Sequence, residues 1–294
     1  MTFLWVIVRV ELTENGSVNN NCISKNSVLT NESWEAILDE VAKSLSFVTL
    51  DLSACIKSDS NAGGGLRVDG TFDPMPGNIE GKEKINALIL PNEAIKIEEA
   101  THHYNSYSQF LWISVFKSFI NLKTITGANI SCIDSSAFRS CKSIKNINFP
   151  EAGSIDEFAF ADCTSLTSAS FPNVISIKKC AFQNCKALGN ADFPKTLNIA
   201  QEAFDGCTSL SNVNFPQVVS FGVNVFGHSG SKTMTITLGN SIPNMWGNLF
   251  DGVTSSKTIN LKYPSTESSY NYSWKKKFIG GNNYINLMAE SILP

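Results

Sequence analysis

Between Ile133 and Ser220 the apolar positions return every 22 residues. Four successive segments read IDSSAFRSCKSIKNINFPEAGS, IDEFAFADCTSLTSASFPNVIS, IKKCAFQNCKALGNADFPKTLN and IAQEAFDGCTSLSNVNFPQVVS. Phe138, Phe160, Phe182 and Phe204 form one column, and Cys141, Cys163, Cys185 and Cys207 form a second. A third holds Ile144, Leu166, Leu188 and Leu210; a fourth holds Phe149, Phe171, Phe193 and Phe215, each followed by proline. Identity at a fixed period marks stacked structural units. A unit this short cannot bury its apolar face alone, whereas stacked units share one core and bond through strands about 4.8 Å apart. The pattern predicts a solenoid.

Within each unit Ile147-Asn148-Phe149, Ala169-Ser170-Phe171, Ala191-Asp192-Phe193 and Val213-Asn214-Phe215 alternate apolar with polar, the period of a strand. Pro150, Pro172, Pro194 and Pro216 end those strands, since proline has no amide hydrogen for the next ladder bond. The Ala-Phe pairs fall on the opposite, turning side, where their rings can stack in offset fashion. Degenerate rungs flank the four. Leu111–Cys132 keeps Val115-Phe116, Leu122 and Ile125 with Phe119 in the cysteine position; Phe221–Asn244 keeps Val225-Phe226, Ile236 and Leu238; the segment from Met245 keeps Leu249-Phe250, Ile259, Leu261 and Pro264. That makes about seven rungs, weakened at both ends as capping requires.

The units resemble the bacterial surface leucine-rich repeat family typified by BspA, whose pattern is AF-x-x-C-x-x-L-x-x-[VI]-x-[LF]-P. The resemblance covers residues 85–264, is most specific in the four central units, and departs in preferring Phe at the strand position and in a long insertion before the first rung. It implies a leucine-rich repeat solenoid: a curved right-handed stack, mostly β with short turns, carrying a parallel sheet on its concave face. It also implies display at the cell surface and non-catalytic adhesive or protein-binding roles in host-associated microbes.

The ends read differently. Trp34, Ile37, Leu38, Val41, Ala42 and Leu45 fall at helical spacing with Thr30 and Asn31 placed to cap, which predicts a helix over 32–45. Phe47 to Leu52 alternates as a strand, and Ile85 to Pro91 repeats the apolar-proline ending of the rungs. Residues 31–91 then form an N-terminal cap whose helix shields the open end of the sheet, after an extension over 1–30. Residues 92–110 interrupt the period and read as a surface insertion, 111–266 as the repeats, and 267–294 as a C-terminal cap that lays Tyr270, Tyr272 and Trp274 across the last rung.

Composition narrows the chemistry. With 43% hydrophobic residues and no apolar run of about 18, the 294-residue chain has material for a large core and no membrane-spanning helix. A net charge of −3 argues against nucleic acid as partner. Thr2–Val10 makes a poor signal peptide, because Arg9 interrupts it and no basic segment precedes it; it reads more easily as a strand. The cysteine column is explained as buried, reduced thiols, which pack as small hydrophobes. With no C-x-x-C pair and only three histidines, no metal or cofactor is expected.

Two surfaces are candidates for binding. The outward strand positions form the rows Thr124, Asn146, Ser168, Asn190, Asn212 and Thr126, Asn148, Ser170, Asp192, Asn214. Those rows offer hydrogen bonds along their length but lack the Trp, Tyr and Arg anchors of binding hot spots. The insertion supplies His102, His103, Tyr104 and Tyr107. For catalysis, no nucleophile with a base, no carboxylate pair and no phosphate-cradling loop has usable context; Gly63-Gly64-Gly65 precedes no helix and lacks a following Gly-Lys-Ser/Thr. Asn15, Asn31, Asn129 and Asn271 match glycosylation acceptors, a pattern common by chance in an Asn- and Ser-rich chain. The expected function is a non-enzymatic module binding a protein or host-surface ligand. An intracellular interaction scaffold and a structural spacer of a larger surface protein are the alternatives, and an enzyme built on the N-terminal region is the remote one.

Overall fold

The computed structural model describes residues 11–12, 18–19, 28–58, 65–67, 71–74, 77–97, 101–104, 110–239, 243–253, 256–264, 278 and 285–292. Thr2–Val10, Tyr270, Tyr272 and Trp274 lie outside them.

The chain is a parallel β-solenoid, and each central rung has three hydrogen-bonded sides. The first side carries the three-residue strands Asn146–Asn148, Ser168–Ser170 and Asn190–Asp192 and the four-residue strand Asn212–Phe215. Their inward residues Ala169, Ala191 and Val213 are buried because side chains alternate across a strand. Equivalent residues pair in parallel one rung apart, as in Asn190↔Asn212 and Asp192↔Asn214. This sheet continues through Thr233–Leu238 and Lys257–Pro264 to Ile285–Ile292. Toward the N-terminus a second ladder joins Asn146–Asn148 to Thr124–Thr126, Ile85–Ile89 and Val48–Asp51. The two ladders meet between Asn146–Asn148 and Ser168–Ser170 without a shared register, and Ile147 at that junction stays only half-buried.

The second side is built from two-residue strands such as Ser154–Ile155, Ser176–Ile177 and Asn198–Ile199, stacked in a nine-stranded sheet. The third is a turn ladder. Ser136, Phe158, Cys180, Glu202 and Asn224 all have φ between 53° and 58°, and Ser140, Asp162, Asn184, Gly206 and His228 are also left-handed. That conformation is unfavourable for residues with a Cβ, and hydrogen bonding compensates. Alternate amides donate to the next rung (Ser136 to Glu157 O, 2.9 Å; Phe138 to Ala159 O, 2.8 Å; Ser140 to Ala161 O, 2.7 Å) while those between close the turn.

Inside this frame the expected aromatic column forms. Phe138–Phe160, Phe160–Phe182 and Phe182–Phe204 have centroids 5.1, 5.2 and 5.2 Å apart and planes within 11°. The cysteine column is more than packing. The thiols of Cys163, Cys185 and Cys207 each donate to the carbonyl of the preceding rung's phenylalanine, Phe138, Phe160 and Phe182, at 3.1 Å. In the next rung Ser229 occupies the column and its hydroxyl donates to the Phe204 carbonyl. The seven described cysteines are free. Burial pushes the Cys141 thiol up to about 12 and those of Cys163 and Cys185 well above the ordinary value.

The N-terminal region departs from expectation in detail. Helix α1 spans Asn31–Ala42, capped by the Thr30 hydroxyl, which accepts from Ser33 N. Trp34, Ile37, Leu38 and Val41 are buried, but the helix ends before Leu45, which is 93% exposed instead of continuing the apolar stripe. A second helix, α2 (Ile79–Lys84), was not expected from the sequence; Asn78 caps it, and a Cβ at Gly81 would meet Leu38 O at 2.1 Å, so only glycine lets the two helices approach. The segment read as an insertion, 92–110, contains Lys96–Ile97, which pairs with Thr71–Asp73 and Cys132–Ile133 in the second sheet. The remainder includes a hairpin of Thr101–Tyr104 with Phe110–Ile113. At the other end Phe278 is buried against Phe221 and Phe250.

Candidate binding face

Within each of the two ladders the strands of the first side hold their outward residues in register, and the rows pass from one ladder to the other between Asn146–Asn148 and Ser168–Ser170. Thr124↔Asn146, Ser168↔Asn190 and Asn190↔Asn212 make one row, and Thr126↔Asn148, Ser170↔Asp192 and Asp192↔Asn214 the other. Thr235 and Thr237 extend the rows by pairing with Asn212 and Asn214. Those two threonines flank the inward Ile236, so the same alternation marks them in the sequence. Carboxamides at matching positions bond along the stack: Asn212 Nδ2 to Asn190 Oδ1 at 2.9 Å, and Asn214 Nδ2 to Asp192 Oδ1 at 2.7 Å. A shallow depression of about 230 Å³ lies over Ala191 and Val213, walled by Asn190, Asp192, Asn212, Asn214, Thr235 and Thr237. The face offers donors and acceptors at rung spacing on a rigid backbone.

The second candidate lies on the hairpin. His102 and His103 sit on the hairpin opposite Trp112 and Leu111, with Tyr104 opposite Phe110; Tyr107 lies outside the described residues.

The fold also assembles a cluster that spacing did not reveal. Ligand atoms of Cys132, Asp134 and Asp156 lie within 4.8 Å of one another beside the second sheet. Their demands are met locally. Lys96 Nζ is 2.8 Å from Asp134 Oδ2, and Cys132 Sγ donates to Asp134 Oδ1 at 3.0 Å. Burial raises the Cys132 thiol to about 11, and burial followed by the Asp134 charge raises the Asp156 carboxyl. On the turn side His228 Nδ1 is 2.9 Å from Asp205 Oδ1, an arrangement of base and orienter. The neighbouring hydroxyl, Ser229, is buried and already engaged, donating to Phe204 O and accepting from Cys207 N. None of the described helices is long and apolar enough to cross a membrane.

Repeated rungs, a parallel sheet of short strands and an in-register polar face define a leucine-rich-repeat-type solenoid. The model of the BspA type leucine rich repeat region, in six copies, matches residues 113–229 and 177–279, more than half of the chain, and the protein belongs to that family. Among solved structures, a leucine rich cell surface protein from Faecalibacterium prausnitzii is 15% identical; the alignment covers 71% of this chain and 80% of that one with a TM-score of 0.34. A leucine-rich repeat protein from Bacteroides ovatus is also 15% identical, over 66% and 78% of the two chains, with a TM-score of 0.31. No curated protein matches the chain.

Proposed function

We propose that the protein is a non-catalytic binding module of a microbial cell-surface protein, which engages a protein or host-surface ligand through its first-sheet face. The observation that carries this reading is the pair of outward rows: on successive rungs the inward residue is a small or branched apolar one, while Asn, Ser, Asp and Thr hold one register outward. A rigid repeated surface suits many weak contacts made at once, the regime in which linked sites gain avidity. Membership of the BspA-type family supports interaction as the role, and the fully engaged Ser229 hydroxyl beside His228 supports a non-catalytic reading.

Immobilised extracellular-matrix proteins probed with the purified chain and with N148K/D192K test the reading. The two positions lie two rungs apart, so the new lysines do not oppose each other directly. Binding that the double variant loses at unchanged melting temperature is the expected result. Binding that survives it places the ligand elsewhere.

A further inference from the structure

A row of cations runs beside the polar face. Where the chain passes from the turn side to the first sheet, one column reads Lys142, Thr164, Lys186, Thr208, a lysine on every second rung with a hydroxyl between. At the strand entrance Lys123 and Lys145 occupy adjacent rungs, joined by Lys145 N to Lys123 O at 2.8 Å. The residues immediately following, Thr124 and Asn146, begin the first polar row. Lys123, Lys142, Lys145 and Lys186 are exposed, and among the described residues none of the four forms an ion pair with a carboxylate. On the turn side Asp162 accepts from Asn184 Nδ2 at 3.0 Å, and Asp205 faces His228. A local positive strip on a chain of net charge −3 is therefore an asymmetry of placement.

We infer that this strip and the adjoining row Thr124, Asn146, Ser168, Asn190 bind a linear sulfated polysaccharide laid across the rungs. Rungs about 4.8 Å apart put Lys142 and Lys186 roughly 10 Å apart along the stack. That is wider than the axial rise of about 3.4 Å per phosphate on a duplex strand, and suits a polymer whose anionic groups recur per disaccharide. The column itself carries no aromatic residue on which bases could stack, and the Phe47 ring beside the strip has Lys123 Nζ 6.0 Å from its centroid. The next row supplies carboxamides and hydroxyls, the partners that sugar hydroxyls need. Asp192 lies in the far row, two residues along its strand from Asn190, so the near row itself carries no acid. The inference goes beyond the protein-binding reading: it shares the near row with that reading and adds the lysines, so the lysine variant tests the one and N148K/D192K the other.

Heparin is the probe, with K123Q/K142Q/K145Q and the control K178Q/K179Q, which removes charge beside the second sheet. Glutamine keeps the packing stems, and melting curves confirm the fold of both. The expected result is salt-sensitive heparin binding that weakens by roughly tenfold or more in the first variant and little in the control, with a non-sulfated polymer, hyaluronan, bound more weakly. Absent heparin binding, equal losses in both variants, hyaluronan bound as tightly as heparin, or duplex DNA bound as tightly at the same salt concentration each overturn the assignment.

Discussion

The four central rungs and the rungs that follow them use the same columns with different fidelity. From Phe138 to Phe204 the rings stack with planes within 11°, whereas Phe204–Phe226 opens to 6.0 Å and 21°, and Phe226–Phe250 to 23°. The cysteine column gives way to Ser229 in the same interval, and the spacing between corresponding phenylalanines lengthens from 22 residues to 24 between Phe226 and Phe250. A repeated side chain solves the packing problem once, and each copy then reinforces its neighbours. A flanking rung touches one good neighbour and must finish its core with other material, here Met234 and Phe278.

The largest way to break this contrast is to empty a central ring position. Phe182 lies between Phe160 and Phe204 and also meets Phe193 edge-on, so Phe182→Ala should cost about 3–5 kcal/mol in urea unfolding followed by circular dichroism. Phe250→Ala should instead loosen the C-terminal rungs alone, seen as an early separate transition while the central rungs stay folded, since repeats couple only to neighbours. A smaller effect separates the thiol column from its serine substitute. Ser229→Ala strips partners from both the Phe204 carbonyl and the Cys207 amide, and should cost about 1–3 kcal/mol. Cys185→Ser should cost less, because a hydroxyl, that of Ser229, already serves the equivalent place two rungs on.

The thiols give the smallest effect near neutral pH. Burial holds the folded Cys141 thiol at about 12 against an ordinary 9.0, so its contribution to stability is complete below 9.0 and declines as pH rises towards 12, where only the unfolded chain gains by releasing the proton. Alkylation by iodoacetamide at about pH 8 should therefore spare the column in the native protein and label it in urea. Rapid native labelling of Cys141, Cys163 and Cys185 would mean that the column opens locally.

Much of this was legible beforehand, for physical reasons. Strict alternation placed Asn148, Ser170, Asp192 and Asn214 outward, because a strand leaves no other choice once Ala169, Ala191 and Val213 face the core. The turn ladder was hidden, since Ser136, Phe158, Cys180 and Glu202 are not residues that announce a left-handed backbone; inter-rung hydrogen bonds impose it. Helix α2 was hidden too, because Ile79–Lys84 is short and its Gly81 argues against a helix until Leu38 is seen to require it. The cluster of Cys132, Asp134 and Asp156 needed two rungs to be superposed before it existed. Leu45 misled because its spacing fits α1, while the helix stops at Ala42.

Hydrogen exchange read by mass spectrometry, rung by rung, tests most directly the claim that column fidelity sets local stability. Protection should be greatest across residues 138–215 and fall through the rungs containing Phe226 and Phe250, with the third-side amides of Phe160 and Phe182 among the slowest to exchange. Uniform protection from the central rungs to Ile259, or a central minimum at the junction beside Ile147, would contradict it.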